Sequence, residues 1–512
     1  MGKQKTASVG APRDKSGTWG KVDWKIARRE VRRLQIRIAK AVLENRWNRV
    51  KTLQHLLTRS FHAKLLAVKR VTSNKGKKTP GVDGVLWKTA KVRWQAARSL
   101  RRRDYKPKPL RRIYIPKKNG KKRPLSIPTM FDRAMQALYK LALAPVAETT
   151  ADGNSYGFRE GRSCADATAA AFNALSKPNS APWVLEADIT GCYDNICQDW
   201  MLTNIPMDRE VLRKWLKAGY IEDGILYPSH KGTPQGGIIS PTLANMTLDG
   251  LERVVRNAVR RRNRVNFIRY ADDFIVTGKS KRLLEQTIRP AIEKFLTKRG
   301  LTLSPEKTAI THITDGFTFL GQTYRKTGNV LHITPAKEGV LALRRKVGTL
   351  IRKHVSAPMP ILVKKLNETL RGWGNYHRHV VAWETFVCVD KYVKEQLWRM
   401  VRQRHPKKPR KWLHRHYWQI PGHHRMFTTT SKTVKGILRH HEVVRLKFLG
   451  IKRHIKIKAD ANPYLPEQGR YFARRRHEKE SKYLLGHCAR EHLALTAAKR
   501  SNRAGASNKG VL

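Results

Sequence analysis

Two acids stand side by side in the run FIRYADDFIV (residues 267–276), at Asp272 and Asp273. The mainly apolar flanks FIR and FIV read as a β-hairpin with the acids at its tip. Carboxylates this close raise each other's pKa unless a cation neutralises them. Two hard oxygen ligands that leave room for water and phosphate suit Mg²⁺. An Asp-Asp turn between strands is also an ordinary surface feature, so this pair alone decides nothing. Asp188 adds the weight. It lies in VLEADIT (184–190), which reads as a short apolar strand ending in an acid. If that strand lies beside the hairpin, three carboxylates share one strip of sheet. Two-metal nucleotidyl transfer needs such an arrangement, with one carboxylate bridging ions that hold the attacking and leaving oxygens.

Other residues extend the pattern. Tyr193, five residues after Asp188, can stack under an incoming sugar and exclude a 2′-hydroxyl. In GTPQGGIISPTLAN (232–245), Gln235 offers a donor and an acceptor to a nucleotide. Gly236 and Gly237 allow the backbone to approach a ligand, and Pro241 suits the opening of a helix. Lys117 and Arg123 flank an Asn-Gly turn in RRIYIPKKNGKKRPLSIP, which reads as strand, turn, strand. Cations on both arms can close over a triphosphate. Taken singly, these are a core tyrosine, a Gly-rich turn and a solvated basic turn. Their order is more telling: basic hairpin, acid-ended strand, Pro-Gln-Gly loop, Asp-Asp hairpin. It points to the fingers and palm of a right-hand polymerase.

The elements that must position these groups follow from the rest of the chain. Residues 1–23 are polar at first and expected to be mobile. From Trp24 to about residue 71, apolar residues recur every three or four positions, an amphipathic helical stretch. A Gly- and Pro-punctuated loop follows (73–84). Residues 130–145 read as a helix stopping at Pro145. Residues 183–325 alternate strands and helices, and GFTFLGQTYR (316–325) reads as a strand pair. Beyond about residue 334 the pattern is helical again. The 512 residues carry 106 Lys and Arg against 38 Asp and Glu, a formal charge of +68. A compact chain so charged repels itself unless a polyanion neutralises it, and a long nucleic acid is the fitting one. Arg111 and Arg112 lie in a cation-dense stretch. Arg410, Lys411 and Trp412, then Arg474 and Arg475, mix cations with aromatics, which suits phosphate contact plus base stacking. No apolar run is long enough to span a bilayer, and the N-terminus has no signal-peptide core. Five scattered cysteines fit a reducing compartment, and no Cys-x-x-Cys pair suggests zinc.

These blocks resemble group II intron-encoded reverse transcriptases/maturases. Also similar to that family are SYGFREGRSCADA (155–167), RGLTLSPEKTAITHI (299–313), KGKKTPGVDG (75–84) and LRGWGNYHR (370–378). The resemblance implies an α/β (α+β) right hand with an antiparallel palm sheet. It implies a mobile stretch 1–23, an RNA-binding extension 24–90, fingers and palm 91–330, a maturase/thumb domain 331–400, a basic DNA-binding region 401–480 and a tail 481–512. Asp188, Asp272 and Asp273 match the catalytic aspartates for two Mg²⁺ ions, and Ile189 would lend a backbone carbonyl. Lys117, Arg123, Tyr193 and Gln235 match dNTP contacts. Lys75, Lys77, Lys78, Arg371 and Trp373 fall in RNA-binding segments. The implied partners are dNTPs, the intron RNA, which the protein helps to splice and then copies, and target DNA. The setting would be a ribonucleoprotein in bacterial cytoplasm near the nucleoid, or an organelle. One departure stands out. Many relatives end in an H-N-H endonuclease with two cysteine pairs, whereas His487, Cys488 and His492 are the few metal-ligand types here. The expectation is an absent or eroded nuclease and no zinc. A splicing cofactor on a disused polymerase fold remains the alternative, and the intact aspartate trio speaks against it.

Overall fold

The computed structural model describes residues 18–116, 120, 122–260, 263–419, 426–432 and 438–476. Lys117 lies outside the described residues, as do residues 1–17 and the tail with His487, Cys488 and His492. The chain forms two compact units. Among the described residues, the first holds those of 18–174, 180–310 and 457–469; the second holds those of 175–179, 311–456 and 470–476.

The first unit opens with three helices, α1 (Trp24–Leu43), α2 (Trp47–Arg59) and α3 (Phe61–Ser73). Asp23 caps α1, its Oδ1 accepting from the Lys25 and Ile26 amides. Ahead of it Trp19 packs edge-on against Trp24 at 5.0 Å, so order begins before the expected residue 24. The apolar stripes, with Ile38, Leu53, Leu57 and Val68 buried, face α5 (Met130–Thr150); α4 (Ala90–Ser99) packs on α3. The expected stop at Pro145 does not occur, and α5 runs five residues further. Proline removes the donor that would bond the Leu141 carbonyl. Gln35 Nε2 of α1 takes that place at 2.8 Å, so a tertiary bond offsets the local break.

Eight strands, in chain order, are β1 (Leu110–Pro116), β2 (Lys122–Ile127), β3 (Trp183–Ala187), β4 (Tyr220–Glu222), β5 (Ile225–Tyr227), β6 (Phe267–Tyr270), β7 (Asp273–Gly278) and β8 (Ala309–His312). One sheet has the order β2-β1-β4-β5, with β1 and β2 the expected basic hairpin. The other has the order β6-β7-β3-β8, and β7 runs antiparallel to both of its neighbours, β6 and β3. Val184, Leu185, Phe267, Phe274, Ile275 and Val276 are buried in this second sheet. The right-hand polymerase-like α/β fold has its palm here.

The second unit begins with β9 (Phe317–Phe319), β10 (Gln322–Thr327) and β11 (Val330–Pro335), an antiparallel sheet. Helices Lys337–Arg352, Met359–His377 and Trp383–Arg404 follow, then Arg410–Trp418 and the hairpin β12 (Thr428–Lys432) and β13 (Leu438–Glu442). Compactness therefore changes at 310/311 and not at the expected 330/331. The reason is local: Tyr376 donates to the Leu320 carbonyl at 2.7 Å and His377 bonds Gln322, tying β9–β10 to the helices.

Residues 457–469 also depart from the expected continuous region 401–480, because they pack in the first unit. The Ile457 amide donates to buried Asp166 at 2.8 Å, and Arg162 donates to the Ala459 and Ala461 carbonyls. Tyr464 donates to Glu160 while Arg32 lies over its ring at 4.7 Å. Removing the Asp166 acceptor leaves a buried amide unpaired, a cost of about 1–3 kcal/mol. Asp166→Ala should therefore speed tryptic cleavage at Lys458 several-fold in native conditions, read by timed proteolysis; an unchanged rate would show the strap is held elsewhere.

Candidate active site

The Asp-Asp pair sits where the pattern placed it. Tyr270 pairs with Asp273 across a two-residue turn of Ala271 and Asp272. Ala271 has φ of +59°, a region that disfavours side chains with a Cβ. β3 pairs with β7, Ala187 opposite Phe274. Continuing that register sets Asp188 across from Asp273. Beyond Asp188 the chain is pinned on its other side. The Ser304 amide donates to the Asp188 carbonyl at 2.8 Å, and the Thr190 amide to the Thr302 carbonyl at 3.0 Å. These bonds bracket buried Ile189 and bypass its own carbonyl, which by strand alternation faces the β7 side.

Electrostatics on this strip are those of crowded negative charge. Burial raises the Asp272 carboxyl, and the Asp188 charge adds to the rise. Asp273 is pushed up to about 6 by desolvation, then by Asp188 and Asp272. Asp273 still reaches solvent, so the like-charge repulsion is the more telling part. Lys307 answers it: its ammonium is bonded to Asp188 Oδ2 and its own pKa is raised by that bond. Lys307 pulls Asp272 and Asp273 down as well. Among the described residues no three ligand-type side chains converge tightly enough to cage an ion. The donor set nevertheless fits a hard divalent cation: three carboxylates, all-oxygen, mutually repelled, with a lysine already standing where positive charge is wanted.

Arg123 on β2 exerts a lowering pull on both Asp272 and the Tyr193 phenol, so the basic hairpin faces the same site. Burial raises Tyr193 first, and the Asp272 charge raises it further. Tyr193 stands on a short turn, Cys192–Asn195, which the Pro-Gln-Gly loop wraps: the Thr233 amide donates to the Tyr193 carbonyl at 2.7 Å. Gln235 Nε2 is bonded to Asp194 Oδ2 at 2.7 Å, so its amide must turn to meet a nucleotide. Gly236, expected to admit a ligand, has φ of +113° and lies against the Ser126 carbonyl of β2. Its missing Cβ serves the protein's own packing. The helix Ser240–Leu248 opens at Pro241 as expected.

Gly157 was not singled out by the sequence. A Cβ there would sit inside contact distance of the Ala271 nitrogen, on the backbone of the Ala271–Asp272 turn. The nearest atoms are all backbone of Tyr270 and Ala271 and not flexible side-chain ends, so the turn must move. A displacement of about 1 Å can cost about a hundredfold in rate. Gly157→Ala should lower the rate of nucleotide incorporation by roughly that factor while primer–template affinity holds; near-wild-type kcat would show that the turn yields without cost.

The remaining sites are spread across both units. Lys75, Lys77 and Lys78 are exposed on the turn Lys75–Lys78, which buried Arg133 anchors through the Gly76 and Thr79 carbonyls. Arg111 and Arg112 are half-buried on β1, and Arg112 lies over the Tyr220 ring at 3.7 Å. In the second unit, Arg371, Arg410, Lys411 and Arg474 are exposed. Trp373 packs on His377 at 4.4 Å, and Trp412 stacks on His416 at 4.6 Å. Arg475 differs from an exposed phosphate contact: it is 8% exposed and donates to the Ile455 carbonyl at 2.7 Å. Lys307 and Asp194 were missed as site residues. Lys307 had a signal, since it lies within residues 299–313, but its pairing with Asp188 across 119 positions had none.

Residues 115–324 match the family "Reverse transcriptase (RNA-dependent DNA polymerase)", residues 19–100 the "N-terminal domain of reverse transcriptase", and residues 340–418 the "Group II intron, maturase-specific domain". Protein YkfC of Escherichia coli is 31% identical over 316 residues, 53% of this chain and 82% of its own. The group II intron-encoded protein LtrA of Lactococcus lactis is 31% identical over 331 residues, 51% of this chain and 54% of its own. A 91 kDa protein in the cob intron of Schizosaccharomyces pombe is 30% identical over 62% of this chain and 46% of its own. The chain thus spans about half the length of these last two. With the aspartate strip, the basic hairpin and three matched segments in one order, this chain belongs to the group II intron reverse transcriptases/maturases.

Proposed function

We propose that this protein is an RNA-directed DNA polymerase that also binds a group II intron RNA, assists its splicing and copies it. The observation that carries the reading is the placement of Asp188 beside the Asp272–Asp273 hairpin on adjacent antiparallel strands. Asp188, Asp272 and Asp273 would hold Mg²⁺, with the Ile189 carbonyl completing the set. When bound, two such ions lower the pKa of the primer 3′-hydroxyl and neutralise charge on the triphosphate. The residues of the chain do the rest. Arg123 attracts the triphosphate, and Lys117, which the family resemblance also points to, would do the same. Tyr193 floors the sugar and leaves no room for a 2′-hydroxyl. Gln235 leaves Asp194 to meet the nucleotide. Lys307, displaced from Asp188 once a divalent cation arrives, is free to contact a phosphate oxygen.

The exposed cations at 75–78 and 371 would take intron phosphates, and those at 410, 411 and 474 target DNA. The test is primer extension: a DNA primer annealed to an RNA template, with dNTPs and Mg²⁺. The expected result is full-length cDNA, with ribonucleotides incorporated at least about a hundredfold more slowly. Absence of extension, with tight intron RNA binding retained, would reduce the role to that of a splicing cofactor.

A further inference from the structure

Arg269 is fully buried, 0% exposed, in the middle of β6 and two residues from Ala271. Its guanidinium faces three acceptors: Asp249 Oδ1 at 2.5 Å, Asn245 Oδ1 at 3.3 Å and the Ala271 carbonyl at 3.3 Å. Its backbone is held as firmly, donating to the Asn154 carbonyl and accepting from the Tyr156 amide, each at 2.9 Å. Asn245 then closes the ring, donating from Nδ2 to the Gly157 carbonyl at 2.7 Å. One side chain so joins the catalytic turn, the helix after the Pro-Gln-Gly loop and the loop that presses on the turn.

Packing alone does not account for this residue. A buried guanidinium is costly, and an apolar side chain of similar volume commonly serves stability as well. Arg269 Nε has no hydrogen-bond partner, so the group is not even fully satisfied. Besides pairing with Asp249 and bonding Asn245, it holds the Ala271 carbonyl. That carbonyl belongs to the Ala271–Asp272 peptide, which is planar, so fixing its oxygen fixes the direction in which Asp272 leaves the turn. Ala271 is in the left-handed region, where an L residue stays only if its surroundings hold it.

We propose that Arg269 is a positioning residue for the metal ligand Asp272, acting through the Ala271 carbonyl. The proposal rests on the polymerase reading above. Lysine at 269 would keep the positive charge beside Asp249 but cannot reach Asp249, Asn245 and the Ala271 carbonyl together. Methionine would remove the charge and deprive Asp249 of its ion-pair partner.

The experiment compares wild type, Arg269→Lys, Arg269→Met and Asn245→Ala, with Asp272→Ala as reference. It measures Mn²⁺ binding to the protein–primer–template complex by electron paramagnetic resonance of free Mn²⁺, single-turnover incorporation rate, primer–template affinity and thermal midpoint. Arg269→Lys should bind Mn²⁺ about tenfold more weakly and incorporate about a hundredfold more slowly, with primer–template affinity within twofold and a midpoint above that of Arg269→Met. Asn245→Ala, which keeps both buried charges, should shift Mn²⁺ affinity the same way by a smaller factor, and it decides the matter if both Arg269 variants fail to fold. Wild-type Mn²⁺ affinity and rate in folded Arg269→Lys, or in Asn245→Ala if that alone folds, would overturn the positioning role. Failure of wild type itself to extend primers would overturn the polymerase reading instead.

Discussion

Asp272→Ala should reduce RNA-templated DNA synthesis by at least about a thousandfold and leave primer–template affinity within about twofold of wild type. A thousandfold is about 4 kcal/mol of transition-state stabilisation, the scale expected when a ligand to a catalytic ion is lost. Asp272 stands at the tip of a hairpin whose neighbouring strand delivers Asp188, and its carboxyl is raised by burial and by Asp188. Such a crowd of like charge destabilises the empty site and favours a divalent cation. Deleting one acid removes a ligand but no cation. Lys75, Lys77, Lys78 and Arg371 stay exposed for phosphate. A chain at +68 loses nothing of its attraction for RNA by gaining one further unit of positive charge. The check is a pre-steady-state incorporation rate beside an equilibrium binding curve at matched salt. Parallel loss of both would mean that Asp272 holds the RNA or the fold and not the chemistry.

Intron RNA affinity should fall by about a thousandfold or more between 50 and 200 mM monovalent salt. Counterion release sets the size: about 0.9 in log–log slope per phosphate neutralised on a duplex and about 0.7 on a single strand. Eight contacts on duplex give a slope of about −7, hence a loss of more than ten-thousandfold over that range. The cations are there to make them, 106 Lys and Arg against 38 acids. Among the described ion pairs, only Arg159, Arg162 and Arg269 have side chains almost wholly withdrawn from solvent. A filter-binding series at five salt concentrations gives the slope. A slope near zero would mean that shape and stacking hold the RNA and that the charge serves something else.

The parts of the site that were legible in the sequence are those written locally. FIRYADDFIV is a hairpin because mainly apolar runs flank two acids, and it folds as one. The β1–β2 hairpin and the helix at Pro241 follow from turn and cap chemistry and appear in place. Register between distant strands is not local. That β3 would pair with β7, and so bring Asp188 to Asp273, was a condition in the sequence and a pairing in the fold. Pro145 misled for the same reason, since the bond that rescues the helix comes from Gln35 on another helix. Arg269 hid in plain sight. A lone arginine between Ile268 and Tyr270 reads as a surface residue until its three acceptors, two of them on a helix and its C-cap 20 or more positions earlier, are seen. The strap at 457–469 had no signal at all, because Asp166 meets Ile457 across 291 positions.

The most direct measurement is a crystal structure of the protein with RNA template, DNA primer terminated at its 3′ end, incoming dNTP and Mn²⁺, with anomalous scattering used to place the ions. The account predicts two Mn²⁺ peaks at Asp188 and Asp272, one or both touching Asp273 or the Ile189 carbonyl, with Lys307 moved off Asp188. Ions bound elsewhere, or a nucleotide seated with Lys307 still on Asp188 and no ion at the aspartates, would contradict it.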